Sequence, residues 1–244
     1  MNDIFDFGRF GKLFTYECRT YLPRFTKTLV TFVCILFAAW VATIVLKFNF
    51  IIEFRMGLIS LLFDVACMLA PFVVYRDMNN RKRGYFYAMT PASVTEKFLS
   101  MLLICFVVAP FISFVAIHVT DSLLHWLTLA GIGGFVGLEM YNPFASADES
   151  SSILVFSYLT TITSAIMFNT IFRKNKIIKT ILVYMAFVFS VIIIFFWLLD
   201  MMSPETMNDF ISWSLDSGFW YYVRAVAMVI MLAYTYSRIK RVNY

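Results

Sequence analysis

RDMNNRKRGYFYAMTPASVTEKFLS, residues 76 to 100, lies between two long apolar runs and decides how the rest of the chain is read. Arg81, Lys82 and Arg83 come together and are followed at once by Tyr85, Phe86 and Tyr87, so a cationic cluster adjoins an aromatic one. Beside membrane segments such a stretch marks the cytoplasmic face, where Lys and Arg accumulate. Thr90 and Pro91 fit an N-cap and a first helical residue. Ser93 and Glu96 fit a capping box three residues later. A helix is expected to begin at one of these two points and to run into the apolar segment after Phe98. A solvated loop that only fixes orientation is the simpler reading of the same residues.

Outward from this stretch the chain is apolar. Hydrophobic residues make up 61% of the 244 and charged residues 14%, against roughly a quarter charged in soluble domains. Runs of about 20 apolar residues can cross a hydrocarbon core of about 30 Å. Six are expected: 29–46, 56–75, 98–119, 153–172, 177–199 and 219–236. The expected fold is therefore an all-α polytopic membrane protein, one transmembrane domain over 1–244 with six transmembrane helices. Lys and Arg number five before the first run, five in the 76–100 stretch, four at 173–179 and three in the tail from Arg238; between the spans on the opposite side stand only Lys47 and Arg55. Seventeen against two places both termini in the cytoplasm. The outer loops, 120–152 and 200–218, carry acidic residues and no Lys or Arg. The second opens on Ser203-Pro204-Glu205, which fits a helix start. The net charge of +5 sits at membrane flanks, where it meets anionic headgroups rather than nucleic acid.

Residues 1–28 have a two-sided pattern. Phe7, Phe10, Phe14, Cys18, Tyr21 and Phe25 make one stripe, and Arg9, Lys12, Tyr16 and Arg19 another. An interfacial amphipathic helix in contact with the lipid bilayer is expected there, with Pro23 bending the chain into the first span.

Bond-making chemistry has no recognisable constellation. H-E-x-x-H, G-x-S-x-G and a Walker A loop are absent from the sequence, and each would supply a metal, a nucleophile or a phosphate cradle. Cys18, Cys34, Cys67 and Cys105 lack C-x-x-C spacing and a nearby His, which points to small buried residues rather than zinc or disulfides. No cofactor is expected. Ionisable groups within spans say more, since charge at bilayer depth is costly and faces protein or water. Asp64 in the second span and Arg224 in the sixth lie about 12 and 8 Å below the outer face at about 1.5 Å per residue, close enough in depth to form a pair or line a path. Ser157, Thr161 and Ser164, with Thr160 and Asn169, form a polar face on the fourth span; hydroxyls at helix contacts are commonly packing glue. The fifth span is almost unbroken Ile, Val and Phe and is expected to face lipid.

The order of parts (an interfacial helix, two spans, a cytoplasmic helical segment, three spans, an outer helical stretch, a last span) resembles the permease subunit of ABC-2 type transporters. TPASVTEKFLS, Thr90 to Ser100, looks like the LPAS-x-x-EKF stretch of small ABC-2-like membrane proteins of Bacteroidetes-type bacteria. The resemblance implies a multi-pass protein of the bacterial cytoplasmic (inner) membrane that pairs with a second permease chain, identical or different, and with separate cytoplasmic ATPase subunits. Residues 1–28 would be the elbow helix. Residues 76–98 would be the coupling segment, with Arg81, Lys82, Arg83, Tyr85, Phe86, Tyr87, Thr90, Pro91, Ser93 and Glu96 in the docking region. The first outer loop is longer than the resemblance implies, and the sequence holds no nucleotide-binding domain. A non-transporting scaffold or sensor using the same segment, and a secondary transporter, are the competing readings.

The topology is checked by reporter fusions. A fusion after Tyr244 is expected to report the cytoplasm and one within 200–218 the outside; the reverse at either point overturns the orientation.

Overall fold

The computed structural model describes residues 5–46, 52–78, 84–130, 150–201 and 219–242. Among these every regular element is helical: α1 (Phe7–Leu46), α2 (Ile52–Val74), α3 (Gly84–Met89), α4 (Val94–Leu103), a π-helical turn (Ile104–Val108), α5 (Ala109–Leu129), α6 (Ser150–Ile171), α7 (Lys176–Met201) and α8 (Phe219–Val242). The six expected spans all fall on helices. Four stretches are long and apolar enough to cross a membrane: α1, α2, the continuous Val94–Leu129 rod and α7. Four such helices in one chain are the architecture of a multi-pass membrane protein. The chain forms two compact units, Met1–Arg76 with Met89–Ser150, and Asp77–Ala88 with Ser151–Tyr244.

In the first unit, α1 begins on Asp6, whose Oδ1 accepts the Gly8 and Arg9 backbone N–H groups at 2.7 and 3.4 Å, an N-cap the sequence reading did not identify. Pro23, expected to bend the chain into the first span, lies inside α1, and the helix runs on through it. Proline removes one backbone donor, which leaves the Arg19 carbonyl without its usual partner. Pro23 itself is on the exposed side, and Thr26 Oγ1 donates to its carbonyl at 2.9 Å. Elbow and first span are therefore one helix of 40 residues, about 60 Å long, or about twice the hydrocarbon thickness.

α1, α2 and α5 pack on one another. Phe25, Leu29, Phe32, Leu36 and Trp40 recur at three- and four-residue spacing on α1 and meet Ile59, Leu62, Ala66 and Ala70 of α2 and Ile104, Ala109, Ile117 and Leu124 of the third rod, all buried. Alanines at these places let the backbones approach closely. The π turn has a local cause: Pro110 offers no N–H and its ring crowds the preceding turn, and the backbone widens so that the Ala109 N–H reaches the Ile104 carbonyl. Beyond it α5 runs to Leu129. The outer loop expected from residue 120 is thus helical for its first ten residues, since no glycine or proline intervenes before Gly131.

In the second unit, α6 and α7 form a hairpin. Asn175 takes the left-handed conformation at φ 51°, which an Asn tolerates at a helix end. Lys176 Nζ donates to Asn169 Oδ1 at 2.7 Å. The Ser164 and Tyr184 hydroxyls meet between the two helices. Phe156 packs edge-on against Tyr221 of α8, with centroids 5.5 Å apart. Nearly every described side chain of α7 is exposed, as suits a helix that is apolar all round and bathed in lipid.

Gly84 opens α3 where a Cβ would stand 2.7 Å from the Met78 carbonyl oxygen. Only a residue without a side chain fits this approach. Gly84→Ala is expected to disrupt the segment and speed proteolytic cleavage between residues 76 and 90, while helical content measured by circular dichroism stays unchanged; unaltered cleavage would show that the approach is not required.

Candidate functional site

The first unit buries a polar centre where the end of α2 and the start of α4 meet α1. Glu17, 1% exposed, projects from α1 into the core. Its Oε2 accepts the Tyr75 hydroxyl, one residue past α2, at 2.7 Å, and the Ser100 hydroxyl of α4 also at 2.7 Å. Its Oε1 is buried with no hydrogen-bond partner among the described residues. Lys97, one turn before Ser100 on α4, is 0% exposed and feels the Glu17 charge. Tyr21 of α1 packs on Tyr75 with ring centroids 6.0 Å apart, which holds the phenol in place.

A second carboxylate joins the beginnings of two helices. The Ser93–Glu96 capping box is present: Glu96 N–H donates to Ser93 Oγ at 3.2 Å, and Ser93 N–H donates to Glu96 Oε2 at 2.9 Å. Of the two expected starts the helix therefore uses the later, and Thr90 and Pro91 lie in a bend. The other oxygen of Glu96 accepts the Asp6 N–H at 2.9 Å and Arg9 Nη2 at 3.1 Å. One side chain thus caps α4 and ties it to the first turn of α1. With three N–H donors from protein groups, the ionised form is well satisfied although the residue is fully buried.

At the opposite end of the same unit Arg55 and Asp121 form a two-pronged ion pair, Nε to Oδ1 at 2.9 Å and Nη2 to Oδ2 at 2.7 Å, with both side chains 4% exposed. Trp40 Nε1 donates to Thr128 Oγ1 at 3.1 Å and joins α1 to α5 beyond it. Twenty residues separate Arg55 from Tyr75 and twenty-one separate Ser100 from Asp121, about 30 Å of helix in each case. The two polar layers are as far apart as the two surfaces of a hydrocarbon core.

The pair expected from the sequence is a different one: Asp64 lies exposed on α2 of the first unit, and Arg224 lies on α8 of the second. The Arg55–Asp121 pair also had a signal in the sequence. Arg55 is an exception to the charge asymmetry, and a cation on the wrong side requires a protein partner when it is buried. On α6, Ser164 Oγ donates to the Thr161 carbonyl at 2.7 Å, and Thr160 and Thr163 likewise bond carbonyls four residues back, each at 2.7 Å. These hydroxyls serve their own helix first; Ser157 lies on the same helix.

Of the docking region, Arg81, Lys82 and Arg83 lie outside the described residues. Tyr85, Phe86 and Tyr87 fall on α3, and Tyr87 is 5% exposed. Ser93 and Glu96 are buried in the cap. The expected helix after Ser203 and the glycines after residue 130 are likewise outside the described residues. Among the described residues no three His, Cys, Asp or Glu side chains are grouped to hold a metal ion. Comparison with protein-family models, with curated proteins and with solved structures finds no match for this chain.

Removing one member of the Arg55–Asp121 pair leaves a buried charge uncompensated, a loss of about 3–5 kcal/mol. Arg55→Met and Asp121→Leu are each expected to lower the melting temperature in detergent, and the double variant is expected to recover much of the loss. A double variant no more stable than either single one contradicts the coupling.

Proposed function

We propose that the chain is the membrane subunit of an ABC-type exporter in a bacterial inner membrane, crossing it six times with both termini in the cytoplasm. A separate ATPase docks on residues 76–100 and drives it. One observation carries this reading: α1 grips both roots of that segment, Tyr75 on one side and Ser93, Glu96 and Ser100 on the other, through Glu17, Asp6 and Arg9. A loop that only set orientation would need no such anchorage. With both roots held, displacement of the segment passes into α1, α2 and α4 together instead of being absorbed at its ends.

In this reading Arg81, Lys82 and Arg83 steer an acidic partner, and Tyr85 and Phe86 supply packed anchors. Charges at an interface rim act mainly on encounter, whereas buried aromatics can each contribute about 2 kcal/mol or more. Tyr87, being buried within this chain, supports α3 from inside. Two such permease chains, identical or different, flank the path, and α7 faces lipid. The scarcity of charge within the spans favours an amphiphilic or lipid-like cargo.

Affinity purification from gently solubilised membranes tests the proposal. The wild-type chain is expected to bring down a protein with a nucleotide-binding motif, which is lost from the Tyr85→Ala/Phe86→Ala variant while that variant remains folded in the membrane. A loop-dependent partner without such a motif, or none at all, overturns the exporter reading.

A further inference from the structure

Glu17 is placed unlike a side chain that merely ties helices together. A carboxylate used for packing has donors on both oxygens, because an ionised oxygen without a partner in a buried site carries the full cost of desolvation. Here both hydroxyl donors, from Tyr75 and Ser100, converge on Oε2 at 2.7 Å each, and Oε1 has none. The ionised form is therefore incompletely satisfied at Oε1, the oxygen at which a proton can be taken up without displacing either hydroxyl. Yet Lys97, a second fully buried ionisable group on α4, adds an attraction that favours the ionised form, weaker than that of the two hydroxyl bonds. The surroundings therefore accommodate both protonation states. The titratable groups that touch Glu17 or feel its charge are Tyr75 beyond α2, Cys18 on its own helix, Lys97 on α4 and Cys105 in the π turn.

We infer that Glu17 is a proton-binding site, a carboxyl that takes up and releases a proton at Oε1 between Tyr75, Ser100 and Lys97. The proton comes from water on the side of residues 76–100 and returns to it; nothing else is transferred, and the charge of the centre rises by one on uptake. The two hydroxyls stay on Oε2 in both states. Because Tyr75 and Ser100 flank the segment between α2 and α4, occupancy by the proton sets how strongly its two roots are held: the charged carboxylate grips both hydroxyls more tightly than the neutral acid does. The inference is independent of the exporter reading, since a scaffold with this centre would bind the proton equally.

Infrared spectroscopy of the full chain in lipid nanodiscs, titrated with pH, tests it. The wild-type protein is expected to show the carbonyl band of a protonated carboxylic acid that appears as pH falls and is absent from Glu17→Gln. Lys97→Met removes the compensating cation, so the acid form is favoured and the midpoint is expected to move up by about one to three pH units. Tyr75→Phe with Ser100→Ala removes donors to the ionised form and is expected to move it in the same direction. If Glu17→Gln cannot be purified folded, Glu17→Asp, which retracts the acid by one methylene, is expected to shift both band and midpoint. A wild-type chain without a titrating acid band overturns the inference. So does a band that persists undiminished in Glu17→Gln, is unmoved in Glu17→Asp, or keeps its midpoint in Lys97→Met.

Discussion

Charge buried in an apolar bundle has to be met within a few ångströms by another charge or by several hydrogen-bond donors, and the first unit is arranged around that requirement. Taking an ion out of water costs several kcal/mol, and the helices that carry Glu17, Lys97, Glu96, Arg55 and Asp121 must lie where those costs are offset. The Arg55–Asp121 pair sets the register of α2 against α5 at one end. Glu17 does so for α1, α2 and α4 at the other. Between these layers the buried side chains are mostly apolar, Phe, Leu, Ile and Ala above all, and their contacts are strong in sum but tolerant of sliding. The polar layers make one alignment better than its neighbours.

Glu96 extends the same logic to the helix ends. A helix start leaves N–H groups without intrahelical partners, and those of α4 and α1 come together at one carboxylate. The capping residue of one helix thereby becomes the attachment of another. This economy gives the segment before α4 a mechanical meaning: unwinding the first turn of α4 would also free the first turn of α1.

The prolines illustrate how context changes a local rule. Pro23, on the exposed side of α1, leaves the helix continuous. Pro110, within the third rod, is accommodated by a π turn that adds a residue to the helical circuit and brings Ile104 and Cys105 both into the core. The same chemical defect leaves an uninterrupted α-helix in one place and stands beside a π turn in the other.

Much of this was legible in the residues themselves. Apolar length identified the helical spans, since a run of about 20 such residues needs a bilayer or a core to cover it, and the S-x-x-E spacing supplied one of two expected starts of α4, the one the helix uses. Local spacing could not reveal which buried charges meet: Arg55 and Asp121 are 66 residues apart, and Arg9 and Glu96 are 87 apart. Depth alone suggested Asp64 and Arg224 as partners, and depth gives one coordinate of the three that a contact needs. The polar centre at Glu17 was likewise invisible, because Tyr75 and Ser100 lie 58 and 83 residues from Glu17 and the three match no local motif together. Only the packing of α1 against α2 and α4 turned them into a site.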